Sequence, residues 1–285
     1  MTPQLLVQDV KHLFSLPDVA MRLNELLDKP EVSARELVEV VQLDASLAAT
    51  VLRLANSAWY GLPRKVDTIS RAITLIGQQA LRDLVLSTAV ITNIKGIPEE
   101  FVNLLDFWDN SVNCGVVCRN LAKRCGIQAS ERMFLAGLLH KIGRLVFYAS
   151  QPVRYRQVLR DRDMGEAAIV AAERRVFGFT HAELGAALLR AWRVPNVLDE
   201  IVAHQIEPLR CRDYPKEAAV LHVAADVAFH MSPDIKGRSG LGEYDLGFDE
   251  AAWALLGLDR GVLVDVMQTS LVQAFELLEI VNRRG

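Results

Sequence analysis

The sequence predicts an all-α protein. Three observations carry that expectation: nearly every patterned stretch repeats its apolar residues with the 3.6-residue helical period, alternating strand patterns are scarce, and capping signals stand ahead of the periodic runs. Hydrophobic residues fill 51% of the 285 positions and charged residues 24%, enough to bury one large core or two modest ones. A formal net charge of -3 and a pI near 6.1 speak against a general nucleic-acid binder, which relies on clustered positive charge.

The elements follow in order. From Asp18 to Leu27 the residues Val19, Leu23, Leu26 and Leu27 make one apolar face, and Lys29-Pro30 ends the run. Ser33-Ala-Arg-Glu36 reads as a capping box whose helix turns Leu37, Val40 and Val41 inward. Asp44 caps a third helix, with Leu47, Val51, Leu54 and Ala55 on its buried stripe, which stops around Trp59 to Pro63. Helices over Ile69 to Ile76 and Leu81 to Ile94 follow. The pair of breakers in Lys95-Gly96-Ile97-Pro98 sets an expected boundary, giving an N-terminal irregular helical bundle over 1–96 and a second helical unit over 97–285.

In the second unit, Phe107 to Cys125 reads as one long helix ended by Gly126, and Glu131 to Phe147 as another. Cys114 and Cys118, with Cys125 beyond, fall on one helix face and read as small buried hydrophobes; no CxxC pair suggests a zinc or redox motif. Thr180-His-Ala-Glu183 is a second capping box, opening a helix to Trp192 that stops at Val194-Pro195. Helices over Val197 to Gln205 and Glu217 to His230 come next, then a Gly-rich loop from Ser232 to Gly247 and two closing helices, the last from about Val262 to Val281. The N-terminus lacks the unbroken apolar region of a signal peptide, and no 18 apolar residues run together, so a soluble, reduced, cytoplasmic protein without membrane contact is expected.

Chemistry-bearing residues concentrate in the second half. His140, His181, His204 and His222 lie on expected helices, with His230 near a helix end, and helix-borne His and Asp can converge in a bundle to hold a metal. The bland reading of each single histidine is a hydrogen-bonded core or surface residue. Context comes from Gly137-Leu-Leu-His140-Lys141-Ile-Gly143, from Leu43-Asp-Ala-Ser-Leu47, Leu52-Arg-Leu-Ala-Asn-Ser57, Ile69-Ser-Arg-Ala-Ile-Thr-Leu-Ile-Gly77 and Phe107-Trp108, and from Phe177-Gly-Phe-Thr-His181 through Ala186. Together these resemble the HDOD family, a degenerate branch of the HD phosphohydrolase superfamily, over about Leu16 to His230.

The resemblance implies an HD-like helical domain and a site that, in active members of the superfamily, holds two divalent metals through histidines, an adjacent His-Asp pair and a distant Asp. Carried across, those positions fall at Asn110, His140, Lys141, His181, His204, Gln205 and Asp226. Three departures disable the set. Lys141 replaces the bridging carboxylate with an ammonium, which has no lone pair to give a cation while protonated. At an effective dielectric of about 20, its charge about 4 Å from a dication repels it by roughly 8 kcal/mol before relaxation and screening. Asn110 and Gln205 offer only amide oxygens where imidazoles belong. No catalytic residue and no cofactor are therefore expected, and in such a relic site Lys141 is expected to pair with Asp226; a single divalent metal on His140, His181, His204 and Asp226, with Lys141 pointing away, is the alternative.

By resemblance, then, the chain is a non-catalytic regulatory or scaffold module of bacterial signal transduction, whose partners are signalling proteins such as receiver, histidine kinase or diguanylate cyclase and phosphodiesterase domains. The competing readings are a residual metal-dependent phosphohydrolase and a cyclic-dinucleotide or other nucleotide binder. Two further patterns are read blandly: His222, Asp226 and His230 as one hydrogen-bonded helix stripe, and Arg154, Arg156, Arg160, Arg162, Arg174 and Arg175, interleaved with Asp161, Asp163, Glu166 and Glu173, as a salt-bridged solvated face. Trp59 and Tyr60 are expected to seat the N-terminal bundle by packing.

Overall fold

A computed structural model of the chain describes residues 1–10, 13–14, 16–29, 31–57, 59–62, 65–94, 97–231 and 246–282, and within them the side chains of all but 46, 92, 93, 162, 163 and 280–282. Helices are its building elements, with no strand among the described residues. The first half holds α1 (Pro3–Asp9), α2 (Asp18–Leu27), α3 (Ala34–Val41), α4 (Ala45–Ala55), α5 (Ile69–Ile76) and α6 (Gln78–Asn93). The second holds α7 (Leu104–Arg124), α8 (Ser130–Leu139), α9 (Ile142–Ser150), α10 (Pro152–Val158), α11 (Glu166–Phe177), α12 (His181–Ala191), α13 (Asn196–His204), α14 (Pro215–Met231), α15 (Glu250–Leu256) and α16 (Val262–Asn282), with 3-10 turns at Leu159–Met164 and Pro208–Arg210.

The caps form as the sequence predicts. Ser33 and Glu36 exchange both bonds of the capping box, Thr180 and Glu183 do the same, and Asp44 accepts the Leu47 N–H at 3.0 Å. Helix α1 has no counterpart among the expected elements, because seven residues are too few to show a period; Thr2 caps it, and it packs against α9 and α12. The residues 95 and 96 of the expected boundary, and the expected loop apart from its last two positions, lie outside the described residues. One hydrophobic cluster takes in residues from both sides of that boundary, from Leu6 through Val116 to Leu277.

At the centre runs α7, whose Val112, Val116, Val117 and Leu121 are fully or almost fully buried, packed by α8, α14 and α16. Backbone approaches backbone where α7 meets α8: a Cβ on Gly137 would sit 2.6 Å from Gly115 Cα. Trp59 seats the first half on this frame, stacking its ring under the Arg119 guanidinium at 3.7 Å and donating from Nε1 to Glu131, which Arg119 also holds at 2.7 Å. Across the molecule, Trp192 Nε1 donates to Phe14 O at 2.6 Å, and Asn24 bridges from Arg82 to the Arg193 carbonyl. No helix among the described residues is long and apolar enough to cross a membrane.

The expected single helix over Glu131 to Phe147 is instead two. It breaks at His140-Lys141, and the carbonyls freed by the break find partners: Gly137 O accepts from the His140 backbone N–H at 3.4 Å and lies 2.6 Å from the ring Nδ1, while His140 O accepts Gln205 Nε2 at 2.7 Å. An apolar period cannot reveal such a break, because both helices are buried along most of their length.

Buried charge also appears on α6. Burial pushes the Asp83 carboxyl from 3.8 up to about 7, against the pull of Arg132 and Arg82. A folded-state value above the unfolded one means that stability is full below about pH 4 and declines as pH rises toward 7. Asp83→Asn should therefore gain on the parent by about 2–4 kcal/mol between pH 4 and pH 8 in urea titrations. A gap that stays constant across that range would mean the carboxylate is fully compensated in place.

Candidate functional site

The break between α8 and α9 sets the site. It turns His140 into the core and presents Lys141 and, one turn on, Arg144 toward α11 and the start of α12. Glu173 is the hub of what they meet. Its side chain is wholly buried, and its Oε2 accepts from both the backbone N–H and the ring Nδ1 of His181, each at 2.8 Å. Its Oε1 accepts the Tyr155 hydroxyl at 2.6 Å and lies 3.4 Å from Arg144 Nε. Burial opposes the charge, but His181, Arg144 and Tyr155 outweigh it and hold the Glu173 carboxyl down at about 2.

Arg144 reaches past Glu173 to grip Glu166 with two bonds, at 2.5 and 3.2 Å. Lys141, 14% exposed, has its ammonium 3.9 Å from Glu166 and 3.4 Å from the amide oxygen of Asn110 on α7. Two fixed cations thus face two carboxylates. Burial pulls the Lys141 amine below its usual range, with Glu166 opposing. The Glu166 side chain keeps 46% of its surface in water, so solvent screens that arm of the network and not the Glu173 arm.

The histidines keep a common posture. A carbonyl or carboxylate only accepts, so Nδ1 carries the hydrogen in His140 (to Gly137 O), His181 (to Glu173) and His204 (to Glu200 O, 2.9 Å), leaving each Nε2 its lone pair. That is how metal-binding imidazoles are oriented. His140 Nε2 is buried without a hydrogen-bond partner. Its neighbour is the Cys114 thiol: burial raises it, but Cys118, His140 and Lys141 together hold it below the ordinary thiol range.

These donors do not fit a dinuclear cation site. An ammonium lies where a carboxylate must bridge, and Glu173 is committed to three hydrogen bonds and an ion pair with Arg144. The alternative expectation is a single metal on His140, His181, His204 and Asp226. Among the described residues, the group of His, Cys, Asp or Glu with ligand atoms within 4.8 Å of one another is Glu200, His204 and Cys211, which takes only His204 from that set. Asp226 accepts the Gly247 N–H at 3.0 Å, and the partners of Lys141 are Asn110 and Glu166 rather than Asp226. Gln205 holds the carbonyls of His140 and Val202. On the α14 stripe, His222 spends both ring nitrogens, donating to Gln205 O at 2.8 Å and accepting the Asp249 N–H at 3.0 Å.

Sequence reading missed Tyr155 and Arg144, and it placed the buried Glu173 on a solvated face, whereas Glu166 is exposed and salt-bridged as expected. Part of that face is as expected, with Arg156 on Glu100, Arg174 on Glu207 and Arg175 on Asp161; the side chains of Arg162 and Asp163 lie outside the described residues. Glu173 carried a signal all the same. It shares a helix stripe with Ile169, Ala172 and Phe177, all buried, and an acid amid an apolar stripe needs an internal partner.

Comparisons with known proteins agree with this architecture. The family model of the HDOD domain matches residues 13–208. A curated relative, an uncharacterized protein of Treponema pallidum, is 26% identical over 204 residues; these cover 70% of this chain, which spans 39% of that protein's length. A solved structure from Shewanella amazonensis, provisionally described as a phosphohydrolase, shares 28% identity with a TM-score of 0.76 over 97% of both chains. Another from Marinobacter aquaeolei, provisionally described as a signal transduction protein, shares 22% identity with a TM-score of 0.69, over 96% of this chain and 60% of that one.

Proposed function

Because the chain belongs to the HDOD domain family, we propose that it is a non-catalytic regulatory module of bacterial signal transduction that works in the cytoplasm through protein contacts. Its partners are receiver, histidine kinase, or diguanylate cyclase and phosphodiesterase proteins. One observation carries the loss of chemistry: Lys141 and Arg144 face Glu166 and Glu173 beside histidines that keep the posture of ligands. Asn110, His140, Lys141, His181, His204, Gln205 and Asp226 are on this reading the remains of a metal site. Their polar groups now serve the fold, as Gln205 does in holding the His140 carbonyl. A carboxylate network neutralised by side chains has no need of dications, and without a metal-bound hydroxide the site lacks a nucleophile for phosphorus.

The likeness to the Shewanella protein, provisionally described as a phosphohydrolase, favours hydrolysis as the second reading. Both are tested by incubating the full chain with bis(p-nitrophenyl) phosphate and with cyclic dinucleotides, under manganese, iron or magnesium. We expect no turnover above the metal-only blank. Turnover that disappears in His140→Ala, whose imidazole no hydrolytic site here could spare, overturns the proposal and establishes the second reading.

A further inference from the structure

His204 belongs to a different group of side chains from the one expected for it. It stands one turn after Glu200 on α13, and the two side chains are each about one-third exposed, at 31% and 35%. The turn at Pro208–Arg210 then folds the chain back, with Arg210 N–H on Glu207 O and Cys211 N–H on Pro208 O, both at 3.0 Å. This brings Cys211, 3% exposed, against the same helix end, so that one ligand atom from each of the three residues lies within 4.8 Å of the others.

The surroundings suit a bound cation. The Nδ1 hydrogen of His204 is committed to the Glu200 carbonyl, which orients the ring and leaves Nε2 as the donor atom. The backbone N–H groups of Tyr214 and Asp213 point at the Cys211 sulfur, and metal binding displaces the thiol proton. A thiolate and a carboxylate together balance a dication.

We propose that Glu200, His204 and Cys211 form a zinc site joining the end of α13 to the segment that leads into α14. The donor set selects the metal: thiolate disfavours magnesium and calcium, and the sulfur, nitrogen and oxygen mixture is one zinc accepts in tetrahedral geometry. Ligand atoms on tetrahedral zinc lie about 3.5 Å apart, so the group closes by about 1.3 Å at most, within the reach of two side chains that are each about one-third exposed. Three protein ligands leave the fourth position to water. The site is separate from the Lys141 network, and it takes His204 out of the relic set.

The test loads the full chain with cobalt(II), which reports a thiolate ligand by a near-ultraviolet charge-transfer band, and measures zinc by competition with a chromophoric chelator. The wild type should bind about one equivalent with that band. Cys211→Ser should lose the band and weaken zinc at least about a hundredfold, as should His204→Gln without the band's complete loss. Cys125→Ser, which removes the half-buried thiol near Leu256 O, should change neither. Because Cys211→Ser can fail to fold, alkylation of the wild type is followed site by site in parallel; zinc should protect Cys211 selectively. Absence of the band in wild type, its survival in Cys211→Ser, or alkylation of Cys211 indifferent to zinc overturns the proposal.

Discussion

Replacing Gly143 by alanine is expected to cost at least about 3 kcal/mol of stability, at the upper end of what overpacking costs, or the folded state altogether. The position lies where α9 crosses the first turn of α12. A Cβ there would meet Gly185 N at 2.7 Å and His181 C at 2.9 Å, and His181 O closer still. These obstacles are backbone, and none is the far end of a flexible side chain. His181 is moreover held in place by two bonds to Glu173, so the helix start cannot retreat without opening the buried network. Gly185→Ala is the matched control: its Cβ would meet Ile142 Cγ2 at 3.3 Å, a side chain that can give, and should cost about 1 kcal/mol. Urea midpoints compare the two. Equal losses would mean that the crossing of α9 and α12 is soft and that the glycine is not what permits it.

That crossing also marks where the sequence stops being legible. Helix positions were readable because caps and apolar periods are local: Ser33 with Glu36, Asp44 with Leu47, and Thr180 with Glu183 are all spaced by three residues and form as expected. The break at His140-Lys141 is not local. What stabilises it is Gln205, 65 residues on, and the backbone contact at Gly143, neither of which leaves a mark in the period of α8 and α9. The same distinction governs the site. His140, Lys141 and His181 could be picked out by type and motif, whereas Arg144 and Tyr155 could not and Glu173 only by its place on an apolar stripe, since a charge reads as solvated until its partner is known. The pairing assigned to Lys141 failed for the same reason: Glu166, from a stretch that looks like a charged surface, supplies the counter-charge in place of Asp226.

Glu173→Gln should be the most damaging change that leaves backbone and volume intact, costing about 3–5 kcal/mol at pH 7 by breaking a buried ion pair on one side. The amide can offer a single oxygen where the carboxylate offers two, so its NH2 group must face the Tyr155 hydroxyl with Arg144 or the paired N–H donors of His181. The pH dependence identifies the cause. In the parent, the Glu173 carboxyl sits at about 2 against 4.5 when free, so its contribution is complete above pH 4.5 and is lost as pH falls toward 2. That difference corresponds to about 3 kcal/mol, an order-of-magnitude figure that the wholly buried side chain makes worth stating. His181 acts in the same direction, because burial holds its imidazole below 6.5 and an unfolded chain takes up the proton first. His181 should therefore withdraw stability below about pH 6.5 and Glu173 below 4.5, against the opposite trend of Asp83 between pH 7 and pH 4. In Glu173→Gln the second phase should vanish, and the gap to the parent should hold above about pH 4.5 and narrow from there to pH 3. Tyr155→Phe removes one neutral donor of the four interactions and should cost only about 1 kcal/mol, with the acid phase retained. A gap for Glu173→Gln that is the same at both ends of the range would show that shape, and not charge, makes Glu173 matter. The cations Lys141 and Arg144 would then be bystanders to the fold, and their place beside the ligand-like His140 and His181 would need another explanation than compensation of a lost metal.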